Sequence, residues 1–220
     1  MLESPEKKLY IYVVDRDFGF APNPFHRYCT LATCKPAIRK AAQVGDWVMG
    51  VGGQRLQATG RCIYLMKVSE ILTFDEYWSD DRFQLKKPIR NGSPVMMVGD
   101  NIYHQNITTG EWIQEDSHHS NADGSTNIEN LQTDTKSVNV LISNHFYYFG
   151  SAAPAVDLTS ISFTNGIGHR KKQFDDLRVR DFVNKIEEKY RRDRNTVFAD
   201  PFDFDQAAKR VNQRTGKLSE

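Results

Sequence analysis

The chain predicts an α+β fold whose largely antiparallel sheet curls into a partly closed β-barrel, with short helices and a C-terminal amphipathic helix. Three observations lead there. Stretches rich in β-branched and aromatic residues recur along the sequence, and the helical patterns between them are short. Strands and helices do not alternate in the regular way that a parallel sheet requires. At 220 residues, with 39% hydrophobic and 26% charged residues, the chain can bury a proper core and has the balance of a globular protein.

LYIYVV, at positions 9–14, is the first strand. The mixed loop RDFGFAPNPFHRYCTLAT leads to KPAIRKAAQVG, where Pro36 opens a short helix, Gly45 closes it, and Ile38, Ala41 and Ala42 turn inward. GDWVMGVGG and GRCIYLMKVSEILT are a strand and a longer strand, joined through QRLQAT as a hairpin. TFDEYWSDDRF is a helix with Thr73 as its cap and Glu76 three positions on, a capping box. SVNVLISNHFYYFG returns to strand character, and from Phe174 the spacing of Leu177, Phe182, Ile186 and Tyr190 predicts an amphipathic helix. Residues 1–170 are therefore expected to form a single α+β domain with an irregular insert at about 83–136, followed by an appended helix over 171–195 and a polar tail over 196–220.

No apolar run reaches the roughly 18 residues of a membrane span, and MLESPEKK carries no signal h-region, so a cytoplasmic protein without a membrane partner is expected. Three cysteines at loose spacing do not read as a disulfide framework or a zinc site. A metal set drawn from His104, His118, His119 and a carboxylate is the weaker reading, so neither metal nor organic cofactor is expected. The net charge of +1 conceals an uneven distribution: 10 basic against 5 acidic residues over 1–69, 4 against 12 over 70–135, and 10 against 6 over 169–194. Two basic segments of this kind suit a phosphate backbone.

Asp15 and Asp17 lie at alternate positions after the first strand and so project to one side. Asn23 sits between two prolines, where its amide can meet a base edge, and His26 is a candidate acid or base. Lys35, Arg39 and Lys40 lie at or just inside the short helix and are candidate phosphate ligands, with Arg170 and Lys171 adding to them. Trp47 and Tyr103 each follow a Gly-Asp turn and are candidate stacking faces; Asn101, His104 and His118 could join a polar constellation. Cys29 and Cys34 read as small apolar residues; a catalytic thiol would need a nearby histidine, which His26 could supply only if the loop folds back.

The combination of DFGFAPNPF, CTLATCKPAIR, GDWVMGVGG, GRCIYLMKV, FDEYW, NGS, GDNIYH and HFYYFG, from about Tyr10 to about His169, resembles the second of the nucleotide modification associated domain families. Proteins of that kind are found in phages and bacteria beside genes for DNA base modification, which implies DNA or a modified nucleotide as the partner. The order of helix, GDWVMGV, hairpin and GRCIYLMKVSEI is also similar to PUA-like domains of the EVE and ASCH type, which hold a flipped base in an aromatic pocket; the long insert from Phe83 to Lys136 departs from that pattern. The first reading is thus a protein that recognises a modified or extruded base. The second is an enzyme acting on the base, such as a DNA glycosylase in which Asp17 stabilises the cationic sugar and Asn23 positions the water. A third is an interaction protein without a nucleic acid partner. Sequence alone leaves enzyme and reader open.

Overall fold

The computed structural model of the protein describes residues 6–164 and 168–219. Along the chain run β1 (Lys8–Val14), β2 (Cys29–Leu31), α1 (Pro36–Ala41), β3 (Trp47–Gly52), β4 (Cys62–Lys67), β5 (Glu70–Thr73), α2 (Phe74–Ser79), α3 (Pro94–Met97), β6 (Tyr103–Gln105) and β7 (Trp112–Gln114). They are followed by α4 (Ile128–Asp134), β8 (Asn139–Ser143), β9 (Phe146–Tyr148), β10 (His169–Gln173), α5 (Leu177–Lys189), β11 (Thr196–Val197), β12 (Arg210–Val211) and β13 (Leu218–Ser219). The fold is α+β. Its contacts divide it into two compact units, one made of the described residues of Met1–Arg16, Ala42–Ser69 and Ser143–Phe202, the other of Asp17–Ala41, Glu70–Ile142 and Asp203–Glu220.

The first unit is built on a six-stranded sheet in the order β10-β1-β3-β4-β9-β11. β1 and β3 run parallel, as do β9 and β11, while the pairs β1–β10, β3–β4 and β4–β9 are antiparallel. The sheet is therefore mixed and open, with β10 and β11 at its edges. Antiparallel pairs outnumber parallel ones, as expected, but the mixture and the open edges correct the expected partly closed barrel. The physical reason is the segment between Val14 and Trp47, which acts as a crossover and returns the chain beside β1 in the same direction. The predicted β3–β4 hairpin is present. Gly50 is required there, since a Cβ would stand 2.4 Å from the Tyr64 ring.

α5 packs through Val179, Phe182, Val183 and Ile186, and the Asp176 carboxylate caps it by accepting from the Arg178 N–H. Leu177, expected on the apolar stripe, is 59% exposed instead, because it sits at the first helical position, outside the packed face.

The second unit carries the three-stranded sheet β2-β8-β5 and the two-stranded ladder β6–β7. The expected single strand over residues 60–73 is two, because the chain leaves the first sheet after Lys67 and Glu70 starts a ladder with β8 in the other. The capping box on α2 is formed as predicted, with Thr73 Oγ1 accepting from the Glu76 N–H and the Glu76 carboxylate accepting from the Thr73 N–H. Phe74, Tyr77, Phe83, Val98, Ile102, Tyr103, Val140 and Ile142 form the core of this unit. Among the described residues no helix is long and apolar enough to cross a membrane.

Candidate active site

β2 delivers the chain to a tight bend at Cys34 and Lys35, whose φ values of 57° and 40° lie in the left-handed region. Such backbone costs on the order of 1–3 kcal/mol for a side-chain-bearing residue and persists only where its surroundings enforce it. Two contacts do so here. The Cys34 N–H donates to Asp134 Oδ1 at 2.7 Å, and Arg39 Nε donates to the Cys34 carbonyl at 2.8 Å. The bend presents a half-buried Cys34 side chain, whereas Cys29 and Cys62 are fully buried, and burial pushes both of those thiols up.

His119 arrives from the irregular stretch after β7, and Asp134 is the last residue of α4. His119 Nε2 lies 3.7 Å from Cys34 Sγ, and its Nδ1 lies 2.8 Å from Asp134 Oδ2. Asp134 Oδ2 also accepts from the Tyr103 hydroxyl at 2.9 Å, and Gln114 Nε2 donates to that hydroxyl at 2.9 Å. His119 and Asp134 are 1% and 0% exposed, and the Phe20 ring packs edge-on at 4.6 Å from the imidazole. Burial alone would lower the His119 pKa, but the Asp134 carboxylate and the Cys34 sulfur outweigh it and raise it to about 10. Burial pushes Asp134 up while His119 and Arg39 pull it down, and the net direction is down. The pair is therefore imidazolium and carboxylate at neutral pH. A reachable thiol, a histidine facing it and a buried carboxylate holding that histidine are the three roles of nucleophilic catalysis.

One atom each from Cys34, His119 and Asp134 lies within 4.8 Å of the others, a spacing that a metal ion could also use. The donor set fits one poorly. Nδ1 of His119 faces Asp134, whose oxygens already accept from the Cys34 N–H, Tyr103 and His119. That leaves only Sγ and Nε2 as ligands, two short of a tetrahedral zinc site.

Most residues singled out in the sequence serve the interior of their unit. Asn23 is fully buried; its Nδ2 donates to the Val98 carbonyl, and its Oδ1 accepts from Lys86 Nζ at 2.7 Å and from the Phe25 N–H. Asp17, 3% exposed, donates its N–H to Asp203 Oδ2 at 2.9 Å, and its carbonyl accepts from the Asp203 N–H at 2.7 Å. Asn101 is fully buried and donates to the Tyr77 and Phe83 carbonyls. Trp47 and Tyr103, 3% and 0% exposed, have no face open to a base, because each begins a strand with its ring turned inward. Arg39 is fully buried. Its guanidinium and Nε donate to the carbonyls of Cys34, Asp134, Ser137 and Asn139, so it braces the bend and α4 instead of facing phosphate.

His118 is 1% exposed, with Nδ1 bonded to the Lys209 carbonyl. His104 stacks on Trp78 at 4.1 Å and pairs with Glu115. His26 is half-buried at a φ of 58°, and its pKa is lowered by burial and by Lys86. Lys35 and Arg170 are half-buried, and Lys40 and Lys171 are exposed. The histidine that faces Cys34 is thus His119 rather than His26. His119 and Asp134 lie 85 and 100 residues away in sequence, and only the acidic, irregular insert hinted at them.

Lys86 and Asp100 occupy a second buried network, in which Asp100 accepts from Tyr77 and Thr30 at 2.8 and 2.6 Å. Burial lowers Lys86 to about 8, against the upward pull of Asp100. The unfolded chain keeps its ordinary, higher value, so between about pH 8 and pH 10 the unfolded state binds more protons and Lys86 makes stability rise with pH. Urea unfolding of the wild type should show an upward contribution of as much as ~1.4 kcal/mol per pH unit in this window that Lys86→Met lacks; parallel slopes would contradict it.

The sequence model of the family described as nucleotide modification associated domain 2 matches residues 6–208. The chain belongs to that family. No curated protein and no solved structure gives a match. The match spans Cys34, His119 and Asp134 and stops before the β12–β13 hairpin.

Proposed function

We propose that this protein is an enzyme of nucleotide modification that uses Cys34 as a nucleophile on an acyl group carried by a modified base or nucleotide. The observation that carries the reading is the line from Cys34 Sγ through His119 to Asp134, set on a bend of left-handed backbone. With the proton on Nε2, the sulfur attacks the carbonyl carbon and the imidazolium gives that proton to the departing amine or alcohol as the carbon–heteroatom bond breaks. Water then attacks the thioester, losing a proton to His119, and the thiolate leaves, releasing a carboxylic acid. Asp134 holds the imidazole's orientation and its charge throughout.

The DNA or nucleotide context rests on the family. On the first unit, Arg170 and Lys171 on the edge strand β10 are the cations proposed to hold phosphate. Base recognition without chemistry and base release through Asp17 and Asn23 have weaker support, since those two side chains lie inside their unit.

The test is incubation with DNAs bearing unmodified, hydroxymethylated, and amide- or ester-substituted pyrimidines. Released small molecules and the intact protein mass are then followed. A freed acid or amine together with an acyl adduct on Cys34, both lost in Cys34→Ala, is the expected result. Product formation that survives Cys34→Ala would refute it, and unaltered DNA that co-purifies would favour a reader.

A further inference from the structure

The C-terminal hairpin lies outside the matched family region and is tied directly to the catalytic histidine. Asn130, fully buried, donates to both the His119 and Val211 carbonyls at 2.7 Å and accepts from the Gln213 N–H at 2.9 Å. The Val211 N–H donates to the His118 carbonyl, Asn212 and Arg214 both meet the Glu129 carboxylate, and Arg210 meets Asp116. These contacts fix the backbone of Gln213 against α4, and its side-chain amide nitrogen Nε2 comes within 3.3 Å of His119 Nδ1, beside Asp134.

We infer that Gln213 is a positioning residue for His119, a second partner for Nδ1 that the hairpin brings to the site. This deepens the thiol-enzyme reading and rests on it. A protonated Nδ1 can only donate, so the amide serves it with its two ends exchanged, Oε1 standing where Nε2 lies and sharing the Nδ1 proton with Asp134 Oδ2. Without this partner the imidazole is held by Asp134 alone and has more freedom to turn away from the sulfur. The other groups around His119 belong to other segments: Cys34 and Asp134 in contact, Tyr103 on the same Asp134 Oδ2, Arg39 on the Asp134 carbonyl, and the neighbouring His118 ring at 6.1 Å.

The experiment measures the rate of Cys34 alkylation by iodoacetamide between pH 5 and 10, by peptide mass, in the wild type, Gln213→Ala, Gln213→Glu and Lys217→Ala. Gln213→Ala should react about five-fold more slowly at pH 7, the loss of one ordinary hydrogen bond, with its pH profile displaced. Gln213→Glu, which keeps an acceptor, should restore the rate. Lys217→Ala, at an exposed hairpin residue outside those contacts, should leave both rate and profile unchanged. A Gln213→Ala protein with the wild-type rate and profile would overturn the inference while leaving the nucleophile intact. A wild-type Cys34 no faster than a free small thiol would instead overturn the thiol-enzyme reading, and the inference with it.

Discussion

Replacing Arg39 with methionine should lower the stability of the protein by about 3–5 kcal/mol, since several buried carbonyls lose their donor at roughly 1–3 kcal/mol for each left unsatisfied. Methionine fills much of the space but donates nothing. It leaves the carbonyls of Cys34, Asp134, Ser137 and Asn139 without the donor that Arg39 provides, in a place with no access to water. It also removes the cation that helps hold Asp134 ionised. The same change should slow alkylation of Cys34, because Arg39 Nε anchors the bend that presents the thiol. Arg39→Lys keeps the charge but not the planar fork, and should recover only part of the loss. Urea unfolding at pH 7 is the measurement; a loss below about 1 kcal/mol, the size of a single hydrogen bond, would mean that the guanidinium is not the brace described here.

His119→Ala should slow the reaction of Cys34 with iodoacetamide by about 10²-fold, the lower end of what a positioned acid or base contributes. The imidazolium is the charge nearest the sulfur, at 3.7 Å, and nothing else among the described residues is recorded in that position. Asp134→Asn should give a smaller loss, because it leaves the imidazole in place but removes the carboxylate that holds its proton on Nδ1. Circular dichroism of each variant separates a damaged site from a damaged fold. Equal rates in wild type and His119→Ala would show that the contact is only packing.

Local structure was legible where local chemistry decides it. The β-branched run at 9–14 makes β1, Thr73 and Glu76 form the predicted capping box, and the glycine-closed segment makes the β3–β4 hairpin. Pairings set by the whole chain were not legible. No residue type in β1 or β3 announces that they run parallel, and Val68–Ser69 carries no turn signal to show that the chain changes sheets there.

The site was half visible for the same reason. Cys34, Tyr103 and Arg39 were each named from the sequence in another role, as an apolar thiol, a stacking face and a phosphate ligand; Arg39 looks like a surface cation on a short helix, and the carbonyls of a segment 95 to 100 residues away turn it inward. His119 and Asp134 lie in the stretch with the weakest periodicity. Side-chain bonds rather than hydrophobic pattern order that stretch, among them Asn127 capping α4 and Asn121 bridging to Ser125.

The central claim is that Cys34 is an activated nucleophile, and its labelling rate tests this most directly. The protein would be treated with iodoacetamide at pH 7 beside glutathione as the reference thiol, and the modified peptides quantified over time. The structure predicts that Cys34 is labelled first and at least about ten-fold faster than glutathione, with Cys29 and Cys62 protected by burial. A Cys34 that reacts no faster than glutathione would contradict the account.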